Sequence, residues 1–259
     1  MDHSSSKFDP AACAAALLDA WRTGRQLEAL APQLRPSSLA EGYDAQDRLI
    51  EAAGEARAGW KLGVGSPAQL RAGGLARPLV GQVTRPRCHA DGAVIQLPDD
   101  APVTVECEIA FILARDIAPD APQGPVEEAI ESAHVTFELV RSRFVDRRVV
   151  GWPSFAADNV GFEALVVSEA LAADRIRAIN DSVEVLLDGE PAARAQQGDA
   201  ATDPLASLRA LRDHARERGI TLRKGEIVTT GAMCKPFDVR GAGHAVTARF
   251  LSRQLSVRL

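Results

Sequence analysis

Two segments of the chain alternate between apolar and polar residues, as half-buried β-strands do. In VTVECEIAFIL, residues 103–113, the odd positions are apolar and the even positions include Glu106 and Glu108. HVTFELVRSRF, residues 134–144, places Glu138 opposite its larger apolar side chains. Because strand side chains point alternately to two faces, all three glutamates are predicted to stand opposite a hydrophobic face.

Helix signals dominate the first sixty residues and recur at isolated places afterwards. Pro10 begins one predicted helix, and Ser38 with Glu41 has the capping-box spacing of a second. Short helices are predicted for SPAQLRAGG (66–74) and PVEEAIESA (125–133), and the clearest helix for DPLASLRALRDHARERG (203–219), with Asp203 as its N-cap. Strands are predicted for GWKLGVG (59–65), EIVTTG (226–231), AVTARFL (245–251) and LSVRL (255–259), and a hairpin for SVEVLLDGEPAARA with a type I′ turn at Asp188-Gly189.

The order of these elements predicts the fold class. Helices come first, and a β-rich body with inserted helices follows, which is typical of an α+β protein. We therefore predict a helical N-terminal region over residues 1–58 and a second domain over residues 59–259. A chain of 259 residues is long enough for this arrangement.

Composition narrows the classes of partner. The net charge is −5 without a cluster of Lys or Arg, so binding to nucleic acid is not expected. The four cysteines form no C-x-x-C pair, which favours reduced thiols in a cytoplasmic protein. The N-terminus lacks the basic start of a signal peptide, and no apolar run approaches the ~20 residues of a membrane span.

The strand glutamates admit two interpretations. Glu106 and Glu108 are roughly 6.6 Å apart along one face of a strand, and Glu138 stands on a similar face. They are either solvated or, together, ligands of a hard divalent cation such as Mg²⁺ or Mn²⁺. Lys61, on the strand before two glycines, is either a solvated edge charge or a pocket residue that binds a carboxylate or moves a proton.

Two other patterns are interpreted as structural. GVGSPA, residues 63–68, fits the letters of a dinucleotide fingerprint, but Pro67 lies inside it and no βαβ unit follows, so it indicates a turn into a helix. His134 shares the face of Glu138, but a single histidine of this kind is more often structural than catalytic.

Several short motifs, taken in order, resemble the fumarylacetoacetate hydrolase superfamily and specifically its 2-keto-4-pentenoate hydratase and 4-oxalocrotonate decarboxylase branch. The resemblance covers nearly the whole chain. It rests on GYDAQ (42–46), GWKLGVGS (59–66), VECEIAFIL (105–113), FELVRSRF (137–144), AADNVG (156–161) and KGEIVTTGAM (224–233).

The resemblance implies a β-rich core, a mixed β roll or sandwich, behind the helical N-terminal region. It implies that Glu106, Glu108 and Glu138 bind Mg²⁺ or Mn²⁺ and that Lys61 is the catalytic lysine of the pocket. Residues implied to bind substrate are Ser66, Arg143, Asp158, Thr230 and Gly231. The implied partners are a small 2-oxo or 2-hydroxydienoic acid and further copies of the chain in a homo-oligomer.

The implied activity is that of a metal-dependent lyase in the catabolism of aromatic compounds. We predict a hydratase, with decarboxylation of a 4-oxalocrotonate-like dicarboxylate as the alternative and a weakly active partner subunit as an alternative of another class. A C–C hydrolase is not favoured, because no matching histidine precedes Glu106.

Three departures from the branch bear on the reaction. Arg141 stands where Asp is usual, residues 71–83 contain no acidic residue, and His244 replaces part of a Gly-Asp pair. Arg141 and Arg143 occupy the same odd-numbered face as Phe137 and Leu139 and are therefore predicted to face away from Glu138, unless a bulge intervenes.

Overall fold

The computed structural model describes residues 7–98, 101–122 and 124–259. Its N-terminal part contains the two predicted helices, α1 (Pro10–Thr23) and α2 (Leu39–Ala53). The Asp9 carboxylate accepts hydrogen bonds from the first turn of α1, and Gly24 ends that helix in the left-handed conformation.

Only one of the two hydrogen bonds of the capping box predicted for α2 is present. The Ser38 hydroxyl accepts a hydrogen bond from the Glu41 backbone N–H, as expected. The Glu41 carboxylate, however, accepts from the backbone N–H and hydroxyl of Ser37 rather than from Ser38. A complete capping box lies instead at Ser66 and Gln69, where α3 (Pro67–Gly73) begins.

Two sheets form the rest of the fold, and they confirm the α+β class. Strands of the larger sheet are β1 (Arg57–Gly63), β2 (Leu79–Thr84), β3 (Cys88–Ala90), β5 (Val103–Leu113), β6 (Ile130–Val140), β7 (Phe162–Val167), β10 (Ile227–Ala232) and β11 (Phe237–Val239). Strands of the smaller sheet are β4 (Ala93–Val94), β8 (Glu184–Leu187), β9 (Glu190–Arg194), β12 (Ala245–Phe250) and β13 (Arg253–Arg258).

The larger sheet has the order β2-β1-β10-β5-β6-β7-β3, with β11 also paired to β5. The order in the smaller sheet is β4-β13-β12-β8-β9. Asp188 and Gly189 both have positive φ angles, 52° and 91°, which confirms the type I′ turn between β8 and β9.

The apolar odd-numbered residues of β5 and β6 lie in one hydrophobic core with residues of the smaller sheet. Their even-numbered face carries the three glutamates, so the alternation read from the sequence is confirmed. A second core forms between α1 and α2, and it includes Phe144 and Ala157 from later in the chain. The division into folding units at residue 58 stays a prediction.

Two predicted boundaries around β6 are wrong. The predicted helix over 125–133 is only a 3₁₀ turn, Val126–Ala129, because Ile130 already pairs with Leu113 and β6 matches the length of β5. The strand predicted to reach residue 144 ends at Val140. Beyond it the chain turns toward the N-terminal helices, where Leu27 exchanges backbone hydrogen bonds with residues 143 and 145.

Further elements were not predicted. They are the strands β2, β3, β4, β7 and β11 and the helices α4 (Trp152–Ala157) and α5 (Ile176–Ser182). The predicted helix over 203–219 is α6 (Pro204–Glu217), with Asp203 as its N-cap. Within the described part of the chain, every helix is too short or too polar to cross a membrane.

Candidate metal centre and cavity

Three carboxylates meet where β5 and β6 pair. Glu106 lies directly across the ladder from Glu138, and Glu108 lies two residues further along β5. Each of the three offers one oxygen within 4.8 Å of the others. Glu106 is half-buried, whereas Glu108 and Glu138 have no exposed surface, so the interpretation as solvated residues is wrong for these two.

Residues of the neighbouring strand β10 fix the Glu108 carboxylate by hydrogen bonds. One of its oxygens, Oε2, accepts a hydrogen bond of 2.9 Å from the Gly231 backbone N–H and another from the Thr229 hydroxyl. The pairing of β10 with β5 is irregular at this point, and Gly231 has a φ of 98°, which favours glycine. The irregularity turns a backbone N–H toward the carboxylate.

The remaining oxygens fit a bound cation. Glu108 Oε1 and Glu138 Oε2 are buried and have no hydrogen-bond partner among the described residues. Buried carboxylate oxygens are normally hydrogen-bonded or bound to a metal. A set of three carboxylates without sulfur or nitrogen suits hard ions such as Mg²⁺ and Mn²⁺, so Glu106, Glu108 and Glu138 could hold one of them.

Burial raises the pKa of both enclosed carboxyls. The pKa of Glu108 is well above its usual range, because of burial first and then because of the neighbouring Glu138 and Glu106. The pKa of Glu138 rises to about 7, since burial outweighs the favourable charge of Lys61. In the metal-free protein these groups therefore retain protons at pH values where exposed glutamates are ionised.

We expect metal binding to weaken as the pH falls below about 7. A carboxyl whose pKa is raised on folding stabilises the metal-free fold at low pH, and this contribution is lost as the pH rises through the folded pKa. A metal ion must displace the same proton. The gain in melting temperature on adding Mg²⁺ should thus be larger at pH 8 than at pH 6, and equal gains at the two pH values would contradict this expectation.

Lys61 reaches the carboxylates through a narrow gap beside Gly81, here called the slot. Its side chain is 2% exposed, and Nζ lies 2.8 Å from Glu138 Oε1 and 3.1 Å from the backbone oxygen of Val160. Gly81 is its partner across the β1–β2 ladder. A Cβ atom at Gly81 would lie only 2.7 Å from Lys61 Cδ, so glycine is needed there for the lysine stem to pass.

A cavity of about 450 Å³ opens beside this group. Lys61 and Glu106 line it on one side, and Val160, Trp152 and Phe155 are among its apolar residues. The Trp152 indole N–H donates to the Gly73 backbone oxygen at 2.7 Å, which fixes the ring. Concave, largely apolar surfaces with a few polar groups are typical of sites for small organic molecules.

The five residues predicted to bind substrate do not line this cavity. The Ser66 hydroxyl caps α3, and the Thr230 hydroxyl donates to the Ile109 backbone oxygen at 2.7 Å. Gly231 contacts the carboxylate cluster through its N–H rather than the cavity. For all five, binding to substrate stays a prediction.

Arg143 and Asp158 form a fully buried ion pair. The Arg143 guanidinium also donates to the Phe162 backbone oxygen at 2.8 Å, and the Ser142 hydroxyl donates to Asp158 at 2.7 Å. Burial raises the pKa of Asp158, and the charge of Arg143 opposes that change. This pair connects the end of β6 to the turn after α4.

We expect Arg143→Met to lower the free energy of unfolding by about 3 kcal/mol, because it leaves the Asp158 carboxyl buried without its cation. Arg194→Met is the matched control. It removes an exposed ion pair with Glu184, and its expected cost is below about 1 kcal/mol. Chemical denaturation measures both. A raised KM with unchanged stability in Arg143→Met would instead support the predicted substrate contact.

Arg141 lies just beyond the end of β6 and does not line the cavity. It is buried, its backbone N–H donates to the Gly161 oxygen, and its guanidinium donates to the Gly24 oxygen at 2.8 Å. His134 is buried between Ser132 and the backbone of Ser168, which fits its structural interpretation.

Sequence reasoning missed the cation at the rim of the cavity. Arg147 lines the cavity, is half-buried, and lies 3.3 Å from the Thr104 hydroxyl. Its guanidinium is 5.9 Å from the centre of the Phe155 ring. The available signal was the Arg-Arg pair that follows the Glu138 strand, but nothing local shows that the chain turns back over the site.

Comparisons with known proteins agree with this geometry. The chain is 27% identical over 241 residues to a 2-keto-4-pentenoate hydratase of Burkholderia vietnamiensis, with 90% of each chain covered. It is 26% identical over 227 residues to a 2-hydroxyhexa-2,4-dienoate hydratase of Comamonas testosteroni, with 84% of each covered.

A similar fold has been solved. The 4-oxalocrotonate decarboxylase of Pseudomonas putida G7, complexed with magnesium and adipate, superposes with a TM-score of 0.83 over 96% of each chain at 21% identity. No family model matches the sequence.

Proposed function

We propose that the chain is a divalent-metal-dependent hydratase acting on a 2-hydroxy-2,4-dienoate, as a member of the 2-keto-4-pentenoate hydratase and 4-oxalocrotonate decarboxylase branch of the fumarylacetoacetate hydrolase superfamily. One observation carries the proposal. Three carboxylates and the amino group of Lys61 converge at a cavity of the size and polarity that a small organic acid requires.

Glu106, Glu108 and Glu138 would hold Mg²⁺ or Mn²⁺. When bound, the ion supplies a Lewis acid for the substrate's carboxylate and its 2-oxygen. Glu108 is oriented by β10 and Glu138 by Lys61, so the ligand oxygens are fixed before substrate arrives. Such preorganisation lowers the cost of binding a charged acid in a partly enclosed site.

The chain's own groups account for the proton movements. Hydration of a 2-hydroxypenta-2,4-dienoate places the water oxygen on C4, adds hydrogens to C3 and C5, and removes the hydrogen of the 2-hydroxyl. Lys61 is the one amino group at the cavity among the described residues, and it lies close enough to the carboxylates to transfer these protons or to hold the substrate carboxylate. Trp152, Phe155 and Val160 would enclose the apolar diene.

A second candidate is decarboxylation of a 2-oxo-enedioate, and Arg147 favours it. This cation lines the cavity and has no carboxylate within 4.0 Å among the described residues. Its neighbour Arg148 is instead paired with Asp146. A half-buried arginine in this position could bind a second carboxylate on the substrate.

A substrate panel with the purified chain and Mg²⁺ separates the candidates. Loss of the dienol's ultraviolet absorbance with formation of a 4-hydroxy-2-oxo acid by NMR is the expected result. Release of CO₂ from a dicarboxylic substrate, without hydration of the monocarboxylic one, would replace the hydratase by the decarboxylase. No turnover by a folded, metal-loaded chain would favour the partner-subunit alternative.

The oligomeric state and the cellular location of the protein remain predictions. The chain is expected to form a homo-oligomer, which light scattering coupled to size-exclusion chromatography would measure. A cytoplasmic location is expected from the reduced thiols and would be tested by fractionation of cells that express the chain.

A further inference from the structure

Strand β2 lies at an edge of the larger sheet. Side chains from other segments form hydrogen bonds with the backbone N–H and C=O groups of two of its residues. At Val80, the Tyr43 hydroxyl accepts from the N–H at 3.2 Å and the Gln46 amide donates to the oxygen at 3.0 Å. At Gln82, the Asn159 amide accepts from the N–H at 2.7 Å and donates to the oxygen at 2.8 Å. Asn159 thus bonds to β2 as a neighbouring strand would.

Asn159 also begins an unusual stretch of backbone. It and the next two residues, Val160 and Gly161, have positive φ angles of 50°, 52° and 72°. Asparagine and glycine tolerate this region, but a β-branched valine rarely adopts it. Such a conformation persists only where its surroundings enforce it. Here the amide of Asn159 fixes one side, and on the other the Gly161 N–H donates to Asp158.

The result of this strained turn is a carbonyl aimed at Lys61. The backbone oxygen of Val160 accepts from Lys61 Nζ at 3.1 Å. The same segment closes the slot from outside, because the Asn159 backbone oxygen would lie 2.9 Å from a Cβ at Gly81. Lys61 therefore sits between a fixed carbonyl, the glycine of β2 and the Glu138 carboxylate.

We propose that Asn159 is a positioning residue for Lys61. The two hydrogen bonds between its side-chain amide and the Gln82 backbone, here called the clamp, hold Val160 in the left-handed conformation. The Val160 carbonyl in turn holds the lysine amino group against Glu138. The proposal rests on the proposed function of Lys61 at this site. Tyr43 and Gln46 close the same edge of β2 but do not lead to Lys61, so their loss has a structural effect alone.

The test compares Asn159→Gly with Tyr43→Phe. Glycine keeps the left-handed conformation accessible while the clamp is deleted, and phenylalanine removes one bond to the same strand without affecting Lys61. With Mg²⁺ present, Asn159→Gly should lower kcat by about tenfold or more with KM changed less than about threefold, since small displacements of a reacting group are costly. Tyr43→Phe should keep kcat within about threefold.

A second measurement is independent of turnover. The chain has four lysines, and the other three, Lys7, Lys224 and Lys235, are exposed and serve as internal standards. Acetylation of intact protein, mapped by mass spectrometry, should find Lys61 protected in the wild type and in Tyr43→Phe but labelled faster in Asn159→Gly.

The outcomes separate this inference from the proposed function. Unchanged Lys61 labelling in folded Asn159→Gly would overturn the positioning role whatever the activity. Faster labelling with a kcat equal to that of the wild type would overturn it as well, because the lysine would then be displaced without consequence. A wild type that hydrates no dienoate would contradict the proposed function, while the labelling experiment would still test whether Asn159 positions Lys61.

Discussion

Lys61→Ala is expected to reduce kcat by about a hundredfold or more while the protein remains folded. A positioned proton-transfer group contributes roughly 10²–10⁴-fold to a rate, and no other amino group lines the cavity within the described part of the chain. Lys235→Ala, which removes an exposed lysine outside the cavity, is the control and should be neutral.

The stability of Lys61→Ala distinguishes a catalytic from a structural lysine. The substitution leaves Glu138 without its cation in the metal-free protein, but the carboxyl, with a pKa of about 7, can retain its proton at modest cost. Circular dichroism and thermal melting of the metal-free protein should therefore resemble the wild type. An unfolded variant whose remaining folded fraction is fully active would make Lys61 a structural residue.

Glu108→Gln should abolish the stabilisation of the protein by Mg²⁺. At a metal concentration of about 100 times Kd, a specific site stabilises the folded state by about 2.7 kcal/mol. The variant removes one of three hard ligands at a site with no other described ligand group. Glutamine keeps an oxygen that can accept from the Gly231 N–H, so the fold is preserved.

The metal-free stability of Glu108→Gln should move in the opposite direction. The Glu108 carboxyl is costly to ionise, first because it is buried and then because Glu138 and Glu106 lie beside it. A neutral amide avoids this cost, so the melting temperature without metal should equal or exceed that of the wild type. Glu131→Gln, on an exposed position of β6, is the control and should leave both values unchanged. If Glu108→Gln keeps the full Mg²⁺-dependent shift, the metal assignment is wrong.

The parts of the fold that were predicted correctly are those encoded locally. Alternation in β5 and β6 placed Glu106, Glu108 and Glu138 on one face because strand geometry alone dictates it. The start of α1 at Pro10, the helix α6 and the turn at Asp188 depend only on neighbouring residues. These features need no knowledge of distant contacts.

The parts that were missed depend on contacts between distant segments. Strand β2, LVGQVT, follows a proline and is interrupted by Gly81, so its pattern is weak. Its glycine is explained by the close approach of Lys61, twenty residues earlier, and of the Asn159 backbone oxygen. The end of β6 is set by where the chain must meet the N-terminal helices. The pairing of Arg143 with Asp158 and the clamp from Asn159 to Gln82 likewise join separate segments.

The closed edge of β2 also bears on how copies of this chain can associate. An unpaired edge strand is a template for adding a strand from another molecule, and it promotes aggregation. Here Tyr43, Gln46 and Asn159 already occupy the outward groups of Val80 and Gln82, and the outer strand β9 of the smaller sheet contains Pro191, which has no N–H to donate. Self-assembly of this protein is therefore not expected to extend β2 or β9 into a continuous intermolecular sheet.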